Sequence, residues 1–125
     1  MKLVWVVDDD EEMIQAVSLL MQLLDYSVKP FLSARRAADE LLEFHPHLLL
    51  LDMNMPEVSG LDLLEFIRRR EALDPLPVLM MSSEFSDVQV QNAMEKGADG
   101  FILKPFTLME LKKAIDQVFL VRDGN

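Results

Sequence analysis

The chain has no cysteine among its 125 residues. Disulfides, thiolate metal sites and a cysteine nucleophile are therefore excluded, and the composition fits a reducing compartment. Long hydrophobic runs are missing too. A stretch such as Leu48 to Leu51 is far shorter than the roughly 20 apolar residues that cross a bilayer. Met1-Lys2-Leu3 leads straight into a strand-like run, so no signal peptide is legible and a cytoplasmic location is expected. Positive charge is scarce: 12 Lys and Arg stand against 22 Asp and Glu, for a net charge of −10. A nucleic-acid binder normally carries a basic face, and a membrane-surface helix a cationic amphipathic one, so neither partner is expected. No linker, low-complexity segment or sequence repeat divides the chain. Half of the residues are apolar, and this length can bury a real core as one domain.

What is present is an alternation of short apolar runs and helical periods. Leu3 to Val7 reads as a buried strand that ends in acids. Ile14, Val17, Met21 and Leu24 then recur at helical spacing across Glu11 to Leu24. Tyr26 to Phe31 is a second strand, weakened by Pro30, and Ser33 caps a helix to about Phe44, where His45-Pro46 stops it. Leu48 to Leu51 is a third strand ending in Asp52; after a loop with Pro56, Gly60 opens a helix to about Leu73. Asp74-Pro75-Leu76-Pro77 is a hard break before the strand Val78 to Met81, which ends in Ser82-Ser83. Asp87 to Lys96 is a helix stopped by Gly97, Gly100 to Leu103 a fifth strand ending in Lys104-Pro105, and Thr107 caps a last helix to about Val121. Five βα units in strict alternation imply a parallel sheet covered by helices on both faces.

In such a sheet ligands bind beyond the carboxyl ends of the strands. There the sequence places Asp8, Asp9 and Asp10, then Asp52, Ser82 and Lys104. One polar residue at a strand end means little; four strand ends supplying acids, a hydroxyl and an ammonium describe a site. Clustered carboxylates without histidine or cysteine favour a hard, oxygen-seeking cation such as Mg²⁺. A carboxylate can itself attack phosphorus, a metal can neutralise the moving phosphoryl charge, and a lysine and a hydroxyl can hold its oxygens. The set therefore points to phosphoryl transfer onto and off one aspartate.

Taken together, Asp8-Asp9 after strand one, Asp52 with Met55-Pro56 after strand three, Ser82 after strand four and Lys104-Pro105-Phe106 after strand five resemble the receiver domain of bacterial response regulators. Ser59-Gly60 and Gly97-Ala98-Asp99-Gly100-Phe101 sit where that family has its loop glycines. The resemblance implies an α/β, flavodoxin-like fold with a five-stranded parallel sheet of order 2-1-3-4-5 and five helices on both faces. It places the receiver domain at residues 1–121, with 122–125 a fraying C-terminal tail or the start of a linker. It also implies that Asp52 accepts a phosphoryl group from a sensor histidine kinase or phosphotransfer protein. Asp9, Asp52 and the backbone carbonyl of Asn54 would ligate Mg²⁺ or Mn²⁺, and Asp8 would position the metal. Lys104 would pair with Asp52 and then with the phosphoryl group, across a Lys104-Pro105 bond that is often cis in the family. Ser82 would hydrogen-bond a phosphoryl oxygen and move, and Phe101 would turn inward as an aromatic switch. Asn54 and Glu84 would tune the phosphoryl lifetime. The face formed by helix four, strand five and helix five would then change its affinity for a partner or output domain, with a phosphorylation-driven homodimer left open. Such a module assists its own phosphorylation and hydrolysis but is not an ordinary turnover enzyme. Ser82 stands where the family more often has Thr, and Phe101 where Tyr is equally familiar.

Plainer readings compete at several of these positions. Acids at a helix start suit the helix dipole, and Asp10, Glu11 and Glu12 keep that explanation as solvated first-turn residues. Asp8 and Asp9 leave it because Asp52 and Lys104 complete a site around them. Phe101 is balanced between core packing and the switch. His45 and His47 flank Pro46 at the far end of strand three and read as surface residues, and Arg68-Arg69-Arg70 as a solvated face near a helix C-terminus. Two other functions remain as alternatives: a pseudo-receiver that is never phosphorylated and only binds a partner, and a phosphohydrolase with an aspartyl-phosphate intermediate. The latter wants a second acid two residues after its nucleophile, where this chain has Asn54.

Overall fold

The computed structural model describes residues 2–84 and 86–123; Met1, the first residue of the expected domain, and Gly124 and Asn125 of the expected tail lie outside the described residues. Five strands, β1 (Lys2–Val7), β2 (Tyr26–Phe31), β3 (Leu48–Asp52), β4 (Val78–Ser82) and β5 (Gly100–Leu103), alternate with five helices: α1 (Glu11–Leu23), α2 (Ala34–Leu41), α3 (Gly60–Arg69), α4 (Asp87–Glu95) and α5 (Leu108–Asp123). The strands form one parallel sheet in the order β2-β1-β3-β4-β5.

Apart from Lys2, Asp52 and Ser82 at their ends, the central strands β1, β3 and β4 are apolar at every position because both of their faces are covered. Trp5, Val7, Leu49, Leu51, Val78 and Met80 pack under α2, α3 and α4, through Ala37, Leu41, Leu63, Leu64, Ile67 and Ala93. Their alternating neighbours Val4, Val6, Leu48, Leu50, Leu79 and Met81 pack under α1 and α5, through Ile14, Val17, Met21, Leu111, Ile115 and Val118. Two-residue periodicity along each strand thus feeds two separate cores. Pro30, which could not donate within a ladder, is accommodated because β2 is an edge strand.

Three helix ends differ from the sequence expectation. The helix α2 stops at Leu41 rather than near Phe44, because its buried face ends there; Leu42 and Phe44 are exposed, and Phe44 N–H still donates to the Glu40 carbonyl. Helix α3 stops at Arg69 rather than near Leu73: Arg70 is extended, and a turn closed by Leu73 N–H to the Arg70 carbonyl brings Leu73 back into the core. Helix α5 continues past Val121 to Asp123, and Arg122 is tied to Asp99 rather than loose. His47 is exposed, as read from sequence, yet its Nδ1 accepts from Leu3 N–H at 2.9 Å and joins the start of β1 to the chain entering β3.

Candidate functional site

Parallel register brings the polar strand ends to one edge of the sheet. Val7 lies beside Leu51, Asp52 beside Met81, and Ser82 beside Leu103. The ladder then extends one step beyond the strands: Asp8 N–H donates to the Phe31 carbonyl, Met53 N–H to the Met81 carbonyl and Lys104 N–H to the Ser82 carbonyl. Asp8, Asp52, Ser82 and Lys104 are therefore held by backbone hydrogen bonds at the mouth of the sheet, not by flexible loops.

Asp8 is buried; one carboxylate oxygen accepts from Asp10 N–H at 3.0 Å and the other from the Lys104 ammonium at 2.9 Å. Asp9 is exposed. Asp10, expected to lie in the first turn of α1, is instead its N-cap, accepting from Glu12 N–H and Met13 N–H. A side-chain acceptor at that position satisfies otherwise orphaned helix donors, so Asp10 is excluded from the site by a local task. Asp52 is only 5% exposed, at the end of a fully buried strand.

Gly60 explains how the next helix can begin so close to Asp52. A Cβ at that position would lie 2.0 Å from the Asp52 carbonyl oxygen. Without one, Gly60 N–H reaches the Met53 carbonyl, and a capping box between Ser59 and Asp62 fixes the first turn of α3. The Met53–Ser59 loop is drawn tightly around the site, with Asn54 exposed at its rim and Glu57 at a φ of 66°.

Lys104 bridges two carboxylates: it is 2.9 Å from Asp8 and 3.2 Å from Asp52. The sequence expectation paired it with Asp52; the shorter contact is to Asp8. The Lys104-Pro105 bond is cis. Ser82 is fully buried and its hydroxyl closes a turn, accepting from Glu84 N–H and donating to the Glu84 carbonyl, each at 3.0 Å. Phe101 is half-buried and packs against the core on the α2–α3–α4 side.

The electrostatics follow from this count of charges. Burial raises the Asp52 pKa above the ordinary carboxylate range, the charge of Asp8 raises it further, and Lys104 only partly opposes them. Burial by itself would lower the Lys104 pKa, but the hydrogen bond its ammonium donates to Asp8 and the charges of Asp52 and Asp8 outweigh it, and the net shift is upward. Asp8, Asp9 and Asp52 each bring a carboxylate oxygen within 4.8 Å of the others, the one such acidic group among the described residues. Three carboxylates stand against one ammonium, which pairs with Asp8 and Asp52, so the site carries surplus negative charge. An all-oxygen donor set with unneutralised charge fits a hard divalent cation.

A second buried charge cluster was not legible as such in the sequence. Arg68 is not on a solvated face: it donates to the carbonyls of Gly97, Asp74 and Leu76 and pairs with Asp99 at 2.9 Å. Asp99, buried at the start of β5, also accepts from Val78 N–H and from Arg122 at 2.7 Å. The available signal was helical: Gly60, Leu63, Leu64 and Ile67 are buried, and residue 68 continues that stripe at i+4 from Leu64.

The chain matches the family model described as the response regulator receiver domain over residues 4–116. It is 31% identical over 115 residues to a two-component response regulator, ORR3 of Oryza sativa subsp. indica, spanning 91% of this chain and 88% of that one. Over 71 residues it is 44% identical to the chemotaxis protein CheY-3 of Vibrio cholerae serotype O1, spanning 57% of this chain and 55% of that one. Among solved structures, chemotaxis response regulator CheY4 of Vibrio cholerae superposes with a TM-score of 0.87 at 29% identity, covering 94% of this chain and 98% of that one. No helix among the described residues is long and apolar enough to cross a membrane.

Proposed function

Since this chain belongs to the response regulator receiver domain family, we propose that it is a phosphorylation-driven switch with Asp52 as its phosphoacceptor. The observation that carries this reading is the placement of Asp52: nearly buried, beside Asp8 and Lys104, and within reach of a common cation with Asp8 and Asp9. The donor is the phosphohistidine of a sensor histidine kinase or phosphotransfer protein. An Asp52 carboxylate oxygen attacks phosphorus, the nitrogen–phosphorus bond breaks, and its electron pair stays with the departing imidazole, which takes up a proton. The product is an acyl phosphate, hydrolysed when water attacks phosphorus and Asp52 leaves as a carboxylate.

Asp9, Asp52 and the Asn54 carbonyl would hold Mg²⁺ or Mn²⁺, with Asp8 positioning it. The metal supplies charge neutralisation to the transferring phosphoryl group. Lys104 lies 3.2 Å from Asp52, on a stem fixed by the β5 backbone, and can follow the new negative charge onto the phosphoryl oxygens. For Ser82 to donate to a phosphoryl oxygen, it must give up the Glu84 carbonyl. That exchange would pull on the segment between β4 and α4, and Phe101 would move into the space vacated. The α4–β5–α5 face would then change its affinity for a partner or output domain, in the manner of order-and-repack switches. A cytoplasmic location is part of this reading, since it is where a kinase domain would meet the chain.

Incubation with Mg²⁺ and a small phosphodonor tests the proposal. A phosphoryl mass increment on the peptide carrying Asp52 is expected, absent from Asp52→Asn. An unmodified Asp52 under conditions where the metal binds would overturn the phosphoacceptor assignment.

A further inference from the structure

The strand β5 is held by buried charge at both ends. Lys104, just past its carboxyl end, pairs with Asp8 and Asp52; Asp99, just before its amino end, pairs with Arg68 and Arg122. Between them lie four extended residues, about 13 Å of backbone at the usual rise. An extended strand has little slack. Backbone bonds from Asp99 N–H to the Val78 carbonyl and from Lys104 N–H to the Ser82 carbonyl keep it straight against β4.

The two arginines that meet Asp99 are not equivalent. Arg68 is 11% exposed and is fixed by three backbone carbonyls, so it is a staple of the fold. It shares the Asp99 oxygen Oδ2 with Val78 N–H. Arg122 is 23% exposed, sits in the last turn of α5 and takes Oδ1, with a further bond to the Asp74 carbonyl. Both guanidiniums therefore share one carboxylate and one carbonyl, and they repel each other. Asp99 would keep a full partner if Arg122 left. The β5–α5 contact also has an apolar part: Ile102 packs with Leu111, Ile115 and Val118, and Gly100 lies so close to α5 that a Cβ there would sit 2.9 Å from Val118.

We infer that the Asp99–Arg122 pair is a releasable latch that couples the position of β5 to the last turn of α5. This rests on the phosphoacceptor reading, because loading of Asp52 is what re-partners Lys104 and loads the other end of the strand. A shift of β5 along or across the sheet moves Asp99 with it. Arg68 travels with the same core and follows; Arg122, on a helix end, does not have to. The state of the site is thereby written into the order of the α5 C-terminal turn, some distance from the phosphoacceptor and on the opposite edge of the sheet.

Hydrogen exchange of the α5 amides in the whole chain tests this, with Mg²⁺ and beryllium fluoride as the acyl-phosphate mimic and fluorine NMR to follow occupancy of Asp52. In the parent protein, loading is expected to change exchange in residues 118–123 by roughly fivefold, the size of one partly exposed ion pair. In Arg122→Gln that turn should exchange about as fast with and without the mimic, while mimic binding is kept, and Arg122→Lys should restore part of the response. A loaded parent whose last turn does not respond, or an Arg122→Gln variant that responds equally, overturns the latch alone. Absence of a bound-fluoride signal in the parent protein overturns the phosphoacceptor reading and the latch with it.

Discussion

The two ends of the sheet bury charge in opposite ways. At the carboxyl end, three carboxylates stand against one ammonium, and the Asp52 pKa is pushed up by burial and by the charge of Asp8, which Lys104 does not balance. At the amino end, one carboxylate is matched by two guanidiniums and a backbone N–H, and the more buried guanidinium, that of Arg68, is matched in turn by three carbonyls. The second cluster is closed: nearly every lone pair and donor is used, as a buried ion pair requires. The first is open, with charge left over and Asp9 facing solvent. Buried charge that is fully satisfied holds elements together. Buried charge that is under-satisfied waits for a ligand and costs stability until one arrives.

That contrast predicts opposite signs for removing one carboxylate from each end. Asp99→Ala strands two arginines and the Val78 N–H, and should cost about 3–5 kcal/mol, the range for breaking a buried ion pair. Denaturant unfolding should show it directly; a loss below about 1 kcal/mol would mean that the amino-end cluster is not the closed structure described. The next largest effect is metal. Mg²⁺ at a hundredfold excess over its dissociation constant should stabilise the chain by about 2.7 kcal/mol, and Asp9→Ala should lose most of that gain. Thermal melts that ignore Mg²⁺ would remove the open site's supposed ligand.

The smallest effect carries the most information about sign. Because the folded-state pKa of Asp52 lies above its unfolded value, its favourable contribution is complete below the unfolded pKa and is lost as pH rises through the folded one. Without metal, Asp52→Asn should therefore raise stability at neutral pH, on the order of 1 kcal/mol, and flatten the decline between the acid range and neutrality. Melts in the presence of chelator check this, and a lowered midpoint for the Asn variant would show that Lys104 more than compensates Asp52. Lys104, whose folded pKa is raised, works in the other window: its contribution is intact below its unfolded pKa and is lost only as pH rises through the folded one, at alkaline pH.

Much of this architecture is legible in the sequence. The β-rich runs Leu3 to Val7, Leu48 to Leu51 and Val78 to Met81 announce themselves because strands buried on both faces must be continuously apolar. The placement of the candidate site was legible for the complementary reason: a polar residue directly after such a run marks a strand end, and parallel strands put all those ends together. Helix ends were less legible, since Leu42 to Phe44 and Arg70 to Leu73 continue a helical composition while tertiary contacts decide where the hydrogen bonding stops. The pairing of Arg68 with Asp99 is not legible because a charged residue on a helix reads as solvated unless its buried partner is known, and that partner lies 31 residues away.

What the sequence determined by itself was the period of each element and the chemical types at its ends, because those follow from local sterics and from which residues can leave water. What only the tertiary structure decided was pairing: that Lys104 sits nearer to Asp8 than to Asp52, that Asp10 is taken up as a helix cap, and that Asp99 holds two arginines from different helices. Ion pairs and hydrogen bonds fall off within a few ångströms, so their partners are fixed by the packing of the whole sheet and not by distance along the chain.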